Sequence, residues 1–171
     1  YGVEPDLITF AKGLTNGSVP MSGVLASEQI HSLLMQGPEH VPELYHGYTY
    51  SAHPLATAAA SATLDVYRDK GLFARVLEME REFGEIFMAL REAPHVADVR
   101  PIGLMCGIDL VPAVEGSGVR GYEVMARAFH ECDLYIRVTA DTIVVAPPLI
   151  STLDEVSEIA RRLRQLLNDL V

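Results

Sequence analysis

The first 70 residues predict too few elements to cover both faces of a sheet. Two short strands, at residues 6–10 and 22–27, are bounded by proline, glycine and asparagine turn signals. One helix is predicted from Glu28 to Met35 and another from Pro54, a residue favoured at the first helical position, to Lys70. A stable domain packs its sheet between covering layers. Residues 1–70 are therefore predicted to be the remnant of a larger α/β domain.

Residues 71–171 instead predict a helix–sheet layer of their own. Its expected elements are helix 72–92, strands 96–100 and 104–110, helix 122–132, a hairpin of strands 134–138 and 142–146, and a final helix after residue 152. The final helix opens with the capping box Thr152 and Glu155. Its apolar residues at spacings of three and four are expected in the core: Val156, Ile159, Ala160, Leu163, Leu166, Leu167 and Leu170. For helix 72–92 the expected core residues are Phe73, Val76, Leu77, Phe83, Ile86, Phe87 and Leu90.

The composition excludes several classes of protein. Of the 171 residues, 49% are hydrophobic and 21% are charged, which argues against intrinsic disorder. The formal net charge of −10 disfavours a nucleic-acid partner. No apolar run approaches the roughly 18 residues of a membrane span, and no signal peptide is evident. Two cysteines predict a reduced, cytoplasmic protein, and the loop-like start at Tyr1 suggests a cut terminus.

Two basic side chains are candidates for chemistry. Lys12 follows the apolar strand and precedes Gly13, where a ligand could approach the backbone. Partial desolvation there would favour a neutral, nucleophilic amine, although most lysines after a strand are solvated. Arg137 lies by a strand end, and its guanidinium could bind a carboxylate with two parallel hydrogen bonds. From spacing alone, the alternative for Lys12 and for Arg137 is an ordinary solvated position on the surface.

The long loop at residues 37–53 is expected to be functional, because loops of this length are uncommon in compact domains. Its hydroxyls and amides precede a helix N-terminus, which attracts anions such as phosphate. A metal site of His46 and His53 is disfavoured, since no acidic or cysteine ligand lies at a matching spacing, and no metal is predicted. The carboxylates Asp109, Asp141 and Asp154 are interpreted as solvated charge. The thiols Cys106 and Cys132 have no adjacent base in sequence.

Taken together, three segments resemble a known family in its own order. The stretch Pro5–Gly17 (PDLITFAKGLTNG) with Val19–Val24 (VPMSGV) is similar to the lysine segment of class III pyridoxal-phosphate aminotransferases. The stretch His46–Pro54 (HGYTYSAHP) resembles that family's second signature. The stretch Asp133–Arg137 (DLYIR), followed by Asp141–Thr142 and Ala146–Pro148, resembles the segment that carries its mobile arginine. These segments are most similar in sequence to those of the omega-amino acid–pyruvate (beta-alanine–pyruvate) transaminases.

The resemblance implies a role for each matched residue. Lys12 would form a Schiff base with pyridoxal 5′-phosphate and later move the substrate proton. Tyr48, through its amide, and Thr49 would bind the cofactor phosphate, Thr49 from across a homodimer interface. Arg137 would bind the carboxylate of pyruvate or alanine. The implied architecture is fold type I, with residues 1–70 ending the large cofactor domain and residues 71–171 forming the complete small α+β domain.

Two departures shape the expected function. The family's acidic partner for the pyridine nitrogen and its glycine-rich phosphate turn have no match in this sequence, so the chain is expected to be a C-terminal portion that is inactive alone. Ser18 and Ser22 stand where relatives often carry other residues. Two alternatives stay open: a non-catalytic folded fragment that only self-associates, and another class III chemistry such as an aminomutase or decarboxylase. The partners expected of the whole protein are an amino donor, a keto acid and a second copy of itself.

Overall fold

The computed structural model describes residues 2–41, 44 and 46–170. Its contacts divide the chain into two compact units, residues 1–70 and residues 71–171. Each unit is considered separately below. No helix in the described part of the chain combines the length and apolar character needed to cross a bilayer.

Unit 1 is a two-stranded ribbon with two helices. Strands β1 (Leu7–Phe10) and β2 (Gly23–Ala26) pair antiparallel, with Leu7 opposite Ala26. Helices α1 (Glu28–Leu34) and α2 (Pro54–Asp69) follow, and α2 begins at its proline as predicted. The predicted strands and helices of this unit are confirmed within one or two residues.

Unit 1 buries very little of its apolar surface. Among its described residues only Thr15, Ala56 and Ala60 are buried. The ribbon exposes large apolar side chains on both faces, Leu7, Ile8, Val24 and Leu25. The residues described here therefore do not cover the ribbon, in keeping with the prediction that two strands and two helices cannot do so.

Unit 2 is a four-stranded antiparallel sheet packed against helices. Its elements are α3 (Leu72–Met88), β3 (Val96–Ile102), β4 (Met105–Leu110), α4 (Val119–Cys132), β5 (Arg137–Thr139), β6 (Thr142–Val145) and α5 (Leu153–Asn168). The strand order is β3-β4-β6-β5, so β3 and β5 are the edges. The predicted capping box of Thr152 and Glu155 is present.

One face of this sheet and three helices enclose the core. Alternate strand residues, including Cys106, Ile108, Ile143 and Val145, point inward. They meet the buried faces of the helices: Phe83 and Phe87 of α3, Val124 and Ala128 of α4, and Val156, Leu163, Leu166 and Leu167 of α5. The expected core face of α5 is confirmed, with Ile159 only partly buried.

The expected core face of α3 is partly wrong. Phe73 and Leu77 are 62% and 73% exposed, whereas Leu72 and Met79 are buried. The buried positions 72, 79, 83 and 87 follow one helical stripe, and residues 73 and 77 lie one step round the helix from it. An apolar side chain next to such a stripe looks the same in sequence as one within it.

Several predicted boundaries also shift. Strand β3 continues through Pro101 to Ile102, which an edge strand tolerates because the missing N–H is not needed for a second neighbour. Helix α4 starts at Val119 rather than Tyr122. The strand predicted from Leu134 begins only at Arg137.

Candidate active site

Lys12 lies in a strained turn directly after β1. Its φ of +52° places it in the left-handed region, which residues with a Cβ rarely adopt. It opens a short 3-10 turn, Lys12–Leu14, and its side chain is exposed. The desolvation expected for the Lys12 amine is therefore not provided by the described residues. A strained non-glycine backbone conformation persists only where its surroundings enforce it, and such positions cluster at functional sites.

The Lys12 turn is held from within and from α2. The N–H of Leu14 donates to the Ala11 carbonyl at 3.2 Å. The buried Thr15 donates through its hydroxyl to the Val19 carbonyl at 2.6 Å. The hydroxyl of Tyr67, which lies 54 residues after Gly13 in the sequence, donates to the Gly13 carbonyl at 2.6 Å. Tyr67 thus links the long helix of unit 1 to the residue that follows Lys12.

A recess of about 880 Å³ in unit 1 brings Lys12 together with the loop before α2. Ser22, His46, Tyr48 and Ser51 share its wall with Lys12. Thr49 lines an adjoining recess that Lys12 also reaches. The structure therefore brings Lys12 together with Tyr48 and Thr49, the other two residues that the resemblance assigned to the cofactor, which lie more than 30 positions later in the sequence.

The loop of residues 46–53 runs directly into the start of α2. The N–H of Ser51 donates to the Tyr48 carbonyl at 3.0 Å, and Ala52 has a left-handed φ of +55°. The ring Nδ1 of His53 accepts a hydrogen bond from the N–H of Leu55 at 3.3 Å and caps the helix. This cap gives His53 a structural task that the sequence did not reveal.

Arg137 is the first residue of edge strand β5, in unit 2. Its side chain is exposed and, within the described residues, makes no hydrogen bond or ion pair. Every other arginine of the chain makes at least one. Arg137 thus offers an uncommitted guanidinium fork, the group suited to binding a carboxylate.

The neighbouring charges on the outer face of this sheet are already paired. Arg100 lies in the same cross-strand row as Arg137, through Gly107 and Val144. Its guanidinium donates to both oxygens of Asp109, at 2.5 and 2.8 Å. Hydrogen bonds from Arg100 and Thr142 lower the pKa of the Asp109 carboxyl. Because Asp109 already accepts hydrogen bonds from these groups, it does not pair with the positive charge of Arg137.

The interpretation of Asp141 as solvated charge is wrong. Asp141 is only 7% exposed and lies in the turn between β5 and β6. It accepts hydrogen bonds from the N–H groups of Gly118 and Gly121 at 2.7 and 3.1 Å, and from the Ser117 hydroxyl at 3.1 Å. These bonds, the Gly118 bond above all, lower the pKa of its carboxyl. Asp141 caps α4, whose own N-cap residue Gly118 has no side chain.

The two thiols offer little nucleophilic chemistry. Cys106 is buried in the core of unit 2, and burial raises its pKa to about 11, so the thiol stays protonated at neutral pH. Cys132 is partly exposed at the end of α4. Both cysteines are free, in line with the sequence-based expectation.

The comparisons with known proteins agree on one family. The family model for aminotransferase class III matches residues 1–167. The chain belongs to the class III aminotransferase family. The omega-aminotransferase of Caulobacter vibrioides is 46% identical over 98% of this chain. The beta-alanine–pyruvate aminotransferase of Pseudomonas aeruginosa is 35% identical over 98% of it.

A solved aminotransferase structure supports the fold. Taurine:2-oxoglutarate aminotransferase from Bifidobacterium kashiwanohense, in complex with PLP and glutamate, superimposes with a TM-score of 0.85 and 30% identity. The match covers 97% of this chain and 38% of that one. This class III member thus shares the α/β fold of the PLP-dependent transaminases, as predicted, and spans about 38% of the length of the curated relatives above. The family's cofactor is pyridoxal 5′-phosphate.

Sequence reasoning missed the structural tasks of two residues, Tyr67 beside the Lys12 turn of unit 1 and Asp141 in the β5–β6 turn of unit 2. Tyr67 is one of many polar residues on α2, and nothing local indicates that its hydroxyl meets Gly13. Asp141 lies in a predicted turn, where a carboxylate is usually solvated. Its burial depends on α4, which reaches it from 20 residues away.

Proposed function

We propose that this chain is the C-terminal part of a longer class III enzyme that transfers an amino group between an omega-amino acid or amine and pyruvate. Residues 1–70 would end its large cofactor-binding domain, and residues 71–171 would form its small domain. The observation that carries the proposal is the strained Lys12 turn, which shares a recess with residues 46–53. Backbone strain at a residue with a Cβ is found preferentially at functional sites, which supports a functional role for this turn.

The side chains of this recess fit pyridoxal 5′-phosphate. They supply a primary amine in Lys12, hydroxyl donors in Ser22 and Ser51, and no competing carboxylate among the described lining residues. Lys12 would hold the cofactor of its own site, and Thr49 with the backbone amide of Tyr48 would hold the phosphate of the cofactor in the partner subunit's site. When bound, the cofactor supplies an electron sink that stabilises the carbanion left when a substrate loses its proton.

Lys12 and Arg137 would then have separate roles, proton transfer and carboxylate binding. The freed amine of Lys12 would take a proton from the alpha carbon of the amino donor and deliver it to the C4′ atom of the cofactor, acting first as a general base and then as a general acid. The bond from Tyr67 to Gly13 holds the backbone beside this amine. Arg137 would bind the carboxylate of pyruvate or alanine with two hydrogen bonds and swing aside for a substrate that lacks one.

The exposed apolar surface of unit 1 supports the proposal that the cofactor site is incomplete in this chain. The ribbon side chains Leu7, Ile8, Val24 and Leu25 are uncovered, and patches of this kind mark contact surfaces. We propose that upstream residues and a second copy of the protein cover them. Thr49 would then serve the site of the partner subunit, and the isolated chain would be inactive. A cytoplasmic location stays a prediction.

Covalent trapping tests the cofactor assignment. The intact polypeptide would be mixed with pyridoxal phosphate, reduced with borohydride and digested for mass spectrometry. The peptide that contains Lys12 should gain the mass of the reduced cofactor. The chain has one other lysine, so Lys70→Ala is the matched control and should label normally, whereas Lys12→Ala should not. Absence of label at Lys12, or efficient labelling and turnover by residues 1–171 alone, would contradict the proposal.

Substrate discrimination tests the role of Arg137. Arg137→Ala should lower kcat/KM for pyruvate by about 10- to 150-fold, which corresponds to the roughly 1.5–3 kcal/mol of a charge-assisted contact. An aldehyde acceptor without a carboxylate should be nearly unaffected. Arg81→Ala, on the exposed face of α3, is the control. Equal losses with both acceptors would remove the proposed role.

A further inference from the structure

The turn that carries Asp141 is fixed against helix α4. A Cβ on Gly121 would collide with the carbonyl oxygen of Ala140, so the two backbones meet as closely as glycine allows. Ala140 has a left-handed φ of +49°, a conformation that needs support from its surroundings. The three hydrogen bonds to the Asp141 carboxylate provide that support on the same side.

The opposite end of the same segment is also tied to helices. The N–H of Leu134 donates to the carbonyl of Ala128 in α4 at 2.9 Å. From α5, Arg162 donates to the carbonyls of Cys132 and Asp133 at 2.8 and 3.2 Å. The segment of residues 134–141 is therefore attached at both ends, with Arg137 between the attachments.

Strand β5 depends on these attachments more than an inner strand would. It is three residues long and pairs on one side only, with β6. Such a short edge strand has few ladder hydrogen bonds of its own. A bidentate contact between a guanidinium and a carboxylate requires both groups in a defined orientation. The backbone position of Arg137 therefore decides whether the side chain can make it.

We propose that Asp141 is a positioning residue for Arg137. It does not touch the substrate; it holds the β5–β6 turn on α4 and so fixes the backbone from which the Arg137 side chain reaches the carboxylate of the substrate. The inference rests on the carboxylate-binding role proposed for Arg137 and extends it to a second residue.

Asp141→Asn in the intact, cofactor-loaded polypeptide is the test. The amide keeps the size of the side chain but loses its charge and turns one acceptor into a donor facing N–H groups. KM for pyruvate should rise about tenfold, whereas KM for an aldehyde acceptor without a carboxylate should not change. Asp154→Asn, at an exposed position in the first turn of α5, is the matched control. Amide exchange at Val138 and Thr139 should be faster in Asp141→Asn than in that control.

A double-mutant cycle distinguishes positioning from general damage. In an Arg137→Ala background, Asp141→Asn should cause no further loss with pyruvate. Ser117→Ala, which removes one of the three bonds, should give a smaller loss with the same preference for pyruvate if Asp141→Asn does not fold. Equal losses with both acceptors, or additive losses in the cycle, would overturn the inference. If Arg137→Ala discriminates between acceptors and Asp141→Asn does not, this inference fails and the proposed function stands; if Arg137→Ala does not discriminate, both fail.

Discussion

The two units of this chain hold their candidate functional residues in different ways. In unit 2, Arg137 lies on a sheet whose other face is packed against three helices, and the strand is anchored at both ends. In unit 1, Lys12 lies on a turn beside an uncovered ribbon and is held by a few hydrogen bonds. A packed core positions a residue through many weak contacts, whereas an open scaffold depends on individual bonds. The described residues of unit 2 pack a core beneath the first arrangement, whereas the described residues of unit 1 leave the second uncovered.

Matched leucine truncations give the largest expected difference between the units. Leu163→Ala in the core of unit 2 should lower the free energy of unfolding by about 2–5 kcal/mol, because it leaves a cavity. Leu25→Ala in the ribbon of unit 1, where the side chain is 59% exposed, should change it by less than about 0.5 kcal/mol. Urea unfolding of the 171-residue chain measures both. A comparable loss for Leu25→Ala would mean that copies of the chain already cover the ribbon.

Two glycines give the next largest effect. Gly121→Ala should destabilise unit 2 by about 1–3 kcal/mol, because the added methyl group would meet the Ala140 carbonyl. Gly37→Ala in unit 1, where nothing lies within 4 Å of an added Cβ, should be neutral or up to about 1 kcal/mol stabilising. Thermal unfolding of both variants tests the comparison. A neutral Gly121→Ala would show that α4 and the turn can separate easily.

The stability of the β5–β6 hairpin in unit 2 should depend on pH through the Asp141 carboxylate. Because its hydrogen bonds lower the pKa of the folded carboxyl, Asp141 contributes stability above its ordinary pKa. That contribution is lost as the pH falls through the lowered folded value. The protection factors of the amides in the β5–β6 hairpin, which are corrected for the intrinsic pH dependence of exchange, should therefore fall at acidic pH in the native chain. Asp141→Asn should exchange faster at neutral pH and lose this pH dependence, whereas Asp154→Asn should retain it.

The smallest expected effect concerns the Lys12 turn. Tyr67→Phe removes the hydroxyl that donates to the Gly13 carbonyl and should cost about 0.5–1.5 kcal/mol locally. Amide exchange at Leu14, which donates to Ala11 within the turn, should become faster. Tyr122→Phe is the control, because its side chain is 66% exposed on α4 of unit 2. Unchanged exchange at Leu14 would mean that the turn is held by its local bonds alone.

Most elements of the fold could be predicted because their causes are local. The capping box at Thr152, the proline that opens α2 and the apolar spacing in α5 each act within a few residues. The predictions failed where a neighbour decides burial. Phe73 and Leu77 are exposed although their spacing resembles that of the core residues, and α4 begins early because Asp141 caps it from another element.

The amino-acid sequence alone reveals which residues are available for chemistry and in what order: a lysine after an apolar strand, a hydroxyl-rich loop before a helix, and an arginine near a strand end. The strained conformation of Lys12, the bond from Tyr67 to Gly13 and the burial of Asp141 as the cap of α4 become visible in the folded structure. The reason is physical. Residue type and short-range periodicity follow from neighbours in the chain, whereas burial and hydrogen bonding of a turn depend on surfaces that only folding brings into contact.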